Sequence, residues 1–190
     1  MGGAPKDMDQ AARQDDDVVA LLLEQHSMIR EQFGTVNGSR GALKQKAFDE
    51  LRAMLAVHET AEEMIVRPAA ADTAGKAEAD ARNQEEAAAT KVLADLEKMD
   101  VDSTEFDTKF AEFQRSVLAH AEHEENEEFP PLRAGKSEEE LRTMGQRLRS
   151  VEKMAPTHPH PTAAGSPKAQ WLTGPFASMM DRARDALSRT

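Results

Sequence analysis

The sequence predicts an all-α protein, an up-down-up-down four-helix bundle followed by extra C-terminal helices. Helix-favouring Ala, Glu, Lys, Leu and Met are plentiful, whereas aromatic residues make up only 4% of the chain. Apolar residues recur every three or four positions in several segments, as on one face of a helix. Four such segments of similar length are joined by short connections, which is typical of antiparallel neighbours in a bundle. At 190 residues, the chain can form one domain with a substantial core.

The first predicted helix follows three aspartates at positions 15–17, which can cap a helix and complement its dipole. Residues 1–14 before them are polar and are expected to form a flexible lead. The helix is predicted to fade between residues 34 and 41, where glycines favour a loop. Its apolar face contains one histidine in its middle: Val19, Leu22, His26, Ile29 and Phe33.

The second predicted helix starts near Ala42 and combines apolar and polar residues on one face. The apolar positions continue into an imidazole and a carboxylate, in the order Phe48, Leu51, Leu55, His58, Glu62 and Ile65. A buried group of either kind is destabilising unless it is hydrogen-bonded, paired or bound to a metal. Pro68 marks a kink or the end of this helix.

The third helix is predicted over residues 76–99 and has an apolar C-terminal end. The turn at 100–104 offers N-cap residues for a fourth helix. That helix is predicted to run to Phe129, where Pro130 and Pro131 end it. It repeats the pattern of the second helix: Phe106, Phe110, Phe113, Val117, His120 and Glu124.

The bundle is assigned to residues 15–135, and three further segments follow it. An additional helix over 136–155 begins with a capping box formed by Ser137 and Glu140. Its apolar face is Leu141, Met144, Leu148 and Val151. The remaining segments are a Pro-rich linker, 156–173, and a C-terminal amphipathic helix expected to dock on the bundle, 174–190.

The composition limits the classes of function. The chain has no cysteine, so thiolate chemistry is excluded and a metal would need nitrogen and oxygen ligands. The net charge of −11 disfavours binding to nucleic acid or to anionic membranes, because both require basic patches. No apolar run matches a secretory signal or a membrane span, so a soluble cytoplasmic protein is expected. The sequence predicts no particular protein partner.

The polar residues on the apolar faces predict a metal site. Residues four apart lie above one another on a helix, so His58 with Glu62 can direct two ligands to one point. His120 with Glu124 can do the same, and His26 supplies a third imidazole. In bundle cores of this kind, carboxylates bridge two metals and imidazoles complete the coordination. Imidazole and carboxylate without sulfur suit Fe, Mn or Zn.

The order of these residues resembles the hemerythrin-like (HHE cation-binding) family. The pattern is a histidine and then two His-x-x-x-Glu pairs on separate helices, with Glu63 and Pro68 after the first pair and Glu128 and Pro130 after the second. The resemblance covers roughly residues 17–132. It implies a four-helix bundle that holds a non-haem iron centre, with two ions or one. It also implies a small ligand such as dioxygen, peroxide or nitric oxide, or a role in sensing iron itself.

By this resemblance, six residues are metal ligands: His26, His58, Glu59, Glu62, His120 and Glu124. Glu62 and Glu124 would bridge the two irons. His26 and His58 would bind one iron, and His120 would bind the other. Glu59 is included because some iron-sensing relatives also use the first glutamate of His-Glu-x-x-Glu.

The third helix departs from the family pattern. The family places one or two histidines there, and the matching positions are assigned to Asn83 and Ala87. No histidine lies between His58 and His120. Three outcomes follow: an asymmetric di-iron site with an open position, a single-metal site, or a site that no longer binds tightly. Glu86 is the best replacement ligand because it shares a helical face with the buried end of the helix.

Several other polar residues are predicted to lie outside the site. Glu85 is assigned to the helix surface and His123 to the edge of the bundle, with a supporting role left open. The acidic run 122–128 is predicted to be solvated apart from Glu124. The Pro-rich linker contains the last two histidines, His158 and His160.

We therefore expect a cytoplasmic hemerythrin-like iron protein that binds, senses or reduces dioxygen, peroxide or nitric oxide. A catalase-like or peroxidase-like activity is left open, because peroxide would need direct access to the metal. A second hypothesis is a metal-responsive interaction module, in which metal binding changes the docking of helix 174–190. A third is a bundle whose metal site is vestigial.

Overall fold

A computed structural model describes residues 17–154, and within them the chain forms five helices and no strand. The helices are α1, Val18–Gly38; α2, Gly41–Ala61; α3, Lys76–Leu96; α4, Thr104–His123; and α5, Glu138–Met154. The predicted all-α class is confirmed. Three predicted segments lie outside the described residues: the lead 1–14, the linker 156–173 with His158 and His160, and the helix 174–190.

Helices α1 to α4 form a closed four-helix bundle, because each contacts the next and α4 contacts α1. α2 meets α3 through a C-terminal extension of α2, Arg67–Thr73. α5 packs outside this ring against α1 and α2. Its predicted apolar face is buried: Leu141, Met144, Leu148 and Val151. No helix within residues 17–154 combines the length and the apolar character needed to cross a membrane.

Side chains cap the helices where the sequence predicts them. The Asp17 carboxylate accepts a hydrogen bond from the backbone N–H of Ala20 at 2.7 Å and so caps α1. Ser103 caps α4 in the same way. At the start of α5, the Ser137 N–H and hydroxyl donate to Glu140 Oε2, and the Glu140 N–H donates to Ser137 Oγ. This reciprocal pair is the predicted capping box.

Two π-helical turns interrupt the bundle at equivalent places. One, Glu62–Val66, follows α2, and the other, Glu124–Glu128, follows α4. Each begins at a glutamate that the sequence predicts as a bridging ligand, and each is closed by an N–H to C=O bond from five residues further along. Such turns are rare and are frequent at functional sites. They widen the helix at the depth where both carboxylates enter the core.

The prediction that Pro130 and Pro131 end the fourth helix is wrong. After the π turn the chain resumes an α-helix over Phe129–Gly135, with proline in its first turn. Proline is tolerated there because its missing N–H has no partner to lose in the first turn. Pro68 occupies the same place after the other π turn, so it marks a distortion and not an end. The first helix ends at Gly38, within the predicted range 34–41.

Two apolar clusters fill the bundle, and a polar layer separates them. Along α1, Leu22 belongs to one cluster and Ile29 to the other, with His26 between them. The cluster beside the α3–α4 turn contains five phenylalanines, Phe33, Phe48, Phe106, Phe110 and Phe113. Burying each such ring is worth about 1.5–3 kcal/mol. The polar layer is therefore held between two well-packed regions.

Candidate metal centre

All six residues predicted as ligands meet in the polar layer between the two clusters. Their ligand atoms, together with those of Glu86, fall into two groups. The first ligand group is His26, His58, Glu62 and Glu124, and the second ligand group is Glu59, Glu62, Glu86 and His120. Within each group the ligand atoms lie within 4.8 Å of one another. Glu62 belongs to both groups, which is the position expected of a bridging carboxylate.

Each of the three histidines uses its Nδ1 to reach an oxygen outside the two ligand groups. The pairs are His26 with Glu125 (2.8 Å), His58 with Gln25 (2.7 Å) and His120 with Glu85 (2.9 Å). A carboxylate oxygen can only accept, so the Nδ1 atoms of His26 and His120 donate in these bonds. The rings are thus fixed in orientation, with Nε2 facing the cluster, as in metal sites where an outer partner holds the imidazole.

Two imidazole nitrogens face each other in the first ligand group. His26 Nε2 lies 3.2 Å from His58 Nε2, and both rings are buried. Burial and the neighbouring His26 lower the pKa of His58 to about 3, so His58 is neutral at pH 7. With each Nδ1 bonded to its outer partner, the Nε2 lone pairs of the two rings point at each other. This arrangement is unfavourable unless a cation lies between or beside the two nitrogens.

Glu62 is the most unusual residue of the cluster. Its side chain is fully buried, yet neither carboxylate oxygen accepts a hydrogen bond from any residue between 17 and 154. His58 Nε2 lies 3.5 Å from its Oε1. Burial, with the nearby charge of Glu124, raises the pKa of Glu62 well above its usual range. A buried carboxylate without donors fits a metal ion, which would supply the missing positive charge.

Glu124 belongs to the first ligand group and also lies close to His120 of the second. Its Oε2 lies 3.5 Å from His26 Nε2, and its Oε1 lies 3.2 Å from His120 Nε2. Burial would raise the pKa of Glu124, but the imidazoles of His120 and His26 lower it well below its usual range. It therefore stays ionised, as a bridging ligand must.

An arginine that sequence reasoning missed lies among these carboxylates. Arg67 is only 5% exposed, and its Nη1 donates to Glu128 Oε2 at 2.7 Å. Its Nη2 donates to Glu86 and lies 3.3 Å from Glu124 Oε1. Burial would lower the pKa of Arg67, but Glu86 and the other carboxylates raise it above its usual value.

Glu128 corrects the prediction of a solvated acidic face over residues 122–128. Its side chain is fully buried against Arg67, whereas its neighbour Glu127 is exposed. Glu128 stands four residues after Glu124, so both lie on the same face of the helix. This four-residue spacing is the feature of the sequence from which the burial of Glu128 could have been predicted.

The residues of the third helix that face the cluster are not the two that the family pattern indicates. Asn83 and Ala87, the positions assigned to the family's histidines, are exposed and belong to neither ligand group. Glu86, the predicted replacement, lies in the second ligand group. Glu85 is not merely a surface residue, because its two oxygens bind Nδ1 of His120 and Nδ1 of His123. The His123 side chain, 44% exposed, lies at the edge of the bundle as predicted.

The sequence of this domain matches a known protein family. Residues 17–132 match the family described as the hemerythrin HHE cation binding domain, and this is more than half of the chain. The chain belongs to the hemerythrin HHE family. Its predicted relationship to that family is thereby confirmed, and its buried His and Glu groups are those expected of a cation-binding domain.

Known hemerythrin-like proteins are similar to the chain in sequence and in fold. An uncharacterized hemerythrin-like protein of Schizosaccharomyces pombe is 29% identical over 138 residues, which span 71% of this chain and 68% of that protein. A crystal structure of a hemerythrin HHE cation-binding domain-containing protein from Mycobacterium kansasii superposes with a TM-score of 0.67 at 19% identity. The match covers 88% of this chain and 98% of the other. The predicted hemerythrin-like bundle is confirmed.

The HHE domain also contains a small cavity beside its three metal-facing histidines. Its remaining lining is mostly apolar: Ile29, Leu55, Glu59, Val117, Leu118 and Ala121. The space has room for about one water-sized molecule. Neither Arg67 nor Glu128 contributes to this lining. The histidines therefore line one side of a small cavity whose other walls are mostly apolar.

Proposed function

We propose that this hemerythrin HHE domain holds non-haem iron and binds, senses or reduces dioxygen, peroxide or nitric oxide. The observation that supports this most is Glu62, a fully buried carboxylate that lies in both ligand groups and accepts no hydrogen bond within residues 17–154. A chain that needed Glu62 only for folding would leave a destabilising group in its core without compensation. A cation shared between the groups would remove that penalty.

The proposed ligands follow the two groups. His26 and His58 would hold one iron, and His120 with Glu59 and Glu86 would hold the other. Glu62 and Glu124 would bridge them, because Glu62 belongs to both groups and the two oxygens of Glu124 lie near His26 and His120. The nitrogen and oxygen donor set suits iron as well as manganese or zinc, and bundles of this kind use it for iron.

The chain's own residues would prepare the site for a small ligand. Glu125, Gln25 and Glu85 hold the imidazoles by their Nδ1 atoms, so the rings need not reorganise when a ligand arrives. The cavity, lined by the three histidines, Glu59 and five apolar side chains, would have room for one small ligand. Iron bound there would supply an open coordination position and reversible electron transfer.

Metal analysis of protein made in iron-replete cells tests this proposal. We expect about one to two iron ions per chain, as in other carboxylate bundles. His58→Ala removes a ligand of the first group and should lower the iron content by at least about half. His123→Ala is the matched control, because His123 belongs to neither group and should keep the wild-type iron content. Wild-type protein that takes up no iron would refute the proposal.

Filling the cavity should slow ligand uptake without removing the metal. Val117 is buried and lines the cavity, and Phe in its place would occupy the space beside the histidines. We expect nitric oxide uptake by the iron-loaded Val117→Phe variant to be about tenfold slower, a barrier increase of about 1.4 kcal/mol. The rate is measured by stopped-flow absorbance. Leu43→Phe, at a side chain that is 71% exposed, is the control and should keep the wild-type rate. Equal rates in both variants would mean that ligands do not enter through this cavity.

A further inference from the structure

We propose that Arg67 makes the two halves of the metal centre unequal, because its guanidinium competes with the second metal ion for Glu86. The inference rests on the proposed function, in that it assumes a metal in the first ligand group. It concerns a residue that belongs to neither group. The consequence is ordered loading: the first group binds its ion tightly, and the second group binds a further ion more weakly.

The contacts of Arg67 are confined to one side of the cluster. Its Nη2 donates to Glu86 Oε1, and that same oxygen lies 3.9 Å from His120 Nε2. An ion held by His120 Nε2 and this oxygen of Glu86 would therefore compete with Arg67 for it. A guanidinium is permanently charged and cannot release its proton to make room.

The bridging carboxylates carry the same asymmetry. Glu124 presents Oε2 to His26 and Oε1 to Arg67, at 3.5 and 3.3 Å. Glu62 presents Oε1 to His58 at 3.5 Å and Oε2 to Arg67 at 4.0 Å. In both residues the oxygen on the side of the first group is free of the arginine. The positive guanidinium therefore makes the electrostatic potential at the second group less negative, and it does so more strongly than at the first group.

Glu128 explains how Arg67 is kept in this position. It is fully buried, bonds Arg67 Nη1 at 2.7 Å and belongs to neither ligand group. An arginine buried in this way needs one partner that a metal does not claim. If a second ion displaced Nη2 from Glu86, the bond to Glu128 would still hold the guanidinium close by. The positive charge of Arg67 therefore stays beside the second ligand group even when a metal ion is bound there.

Anaerobic titration of the metal-free full-length chain with Co²⁺ tests the proposal, with absorbance and chelator competition as readouts. In wild type we expect two binding steps, the second at least about tenfold weaker than the first. In Arg67→Gln the second step should strengthen, so that the two constants come within about threefold of each other. Arg52→Gln is the matched control: Arg52 is 20% exposed and is also paired with carboxylates, Asp49 and Glu97, but neither of these belongs to a ligand group. It should keep the wild-type ratio.

Glu128→Gln gives a second and opposite test, which also decides the matter if Arg67→Gln fails to fold. It removes the charge of the dedicated partner, so Arg67 should bind Glu86 more strongly and the second step should weaken further. An unchanged ratio in Arg67→Gln, or in Glu128→Gln where that is the variant that folds, would overturn the role of Arg67 and leave the proposed function intact. A wild type that binds no ion at all would instead overturn the proposed function.

Discussion

Replacing Glu62 by methionine is expected to abolish metal binding and, at the same time, to stabilise the metal-free protein. Glu62 lies in both ligand groups, so its loss should lower the affinity for both metal ions by at least about 100-fold. Its oxygens accept no hydrogen bond within residues 17–154, so the apolar replacement breaks none there. Removing such an unsatisfied buried group should raise the free energy of unfolding by about 1–3 kcal/mol.

Urea unfolding at pH 7, with and without added metal, measures both effects. Metal should stabilise wild type, by about 2.7 kcal/mol when its free concentration is a hundred times the dissociation constant, and should leave Glu62→Met unchanged. Glu63→Met is the control, because Glu63 is the exposed neighbour on the same turn and should change neither quantity. A metal-free Glu62→Met protein less stable than wild type would show that Glu62 has a structural role of its own.

Much of the fold could be predicted because its local signals agree with its packing. The apolar positions that define α1, α2 and α4 are buried, and the caps at Asp17, Ser103 and Ser137 are formed. The continuations beyond Pro68 and Pro130 could not be predicted in this way. A π turn leaves no periodic signature in five residues, and proline by itself indicates a helix end.

The ligands could be predicted because each occupies a position on a helix where the spacing of the apolar residues calls for another apolar residue. His58 and Glu62 occupy positions where the spacing requires buried residues, and the same holds for His120 and Glu124. Arg67 could not be found in this way, since its side chain enters the core only because the π turn shifts its helical phase. The side of α3 that faces the cluster was harder to predict, because this Ala-rich helix has few apolar residues to define its rotation before Leu93.

The layered arrangement explains why so much charge is tolerated in one place. Five carboxylates, those of Glu59, Glu62, Glu86, Glu124 and Glu128, surround one guanidinium in the centre of a bundle. With all five ionised, the cluster has a large excess of negative charge that buried arginine alone cannot balance. Without metal, protons must supply the balance. Metal binding and proton release are therefore coupled in this domain.

This coupling predicts that the metal-free protein loses stability as the pH rises from 6.5 to 9. Burial and Glu86 raise the pKa of Glu59 to about 8, and burial raises that of Glu128 to about 7. Burial would lower the pKa of His120, but Glu124 and the nearby glutamates raise it to about 9. The folded chain therefore binds more protons than the unfolded chain throughout this range, and stability falls as those protons are lost. His58 is neutral in both states above pH 6.5 and contributes little there.

Urea unfolding at several pH values between 6.5 and 9 checks this prediction. We expect the free energy of unfolding of the metal-free protein to fall by on the order of 3 kcal/mol, and that of the metal-loaded protein to fall less, because the metal already holds the carboxylates ionised. Glu59→Gln removes one titrating group and should reduce the slope by up to about 1.4 kcal/mol per pH unit. Glu63→Gln, at an exposed position, should leave the slope unchanged. A flat or rising profile for the metal-free protein would mean that the buried carboxylates are balanced by something other than protons, and the coupling to metal binding would fail with it.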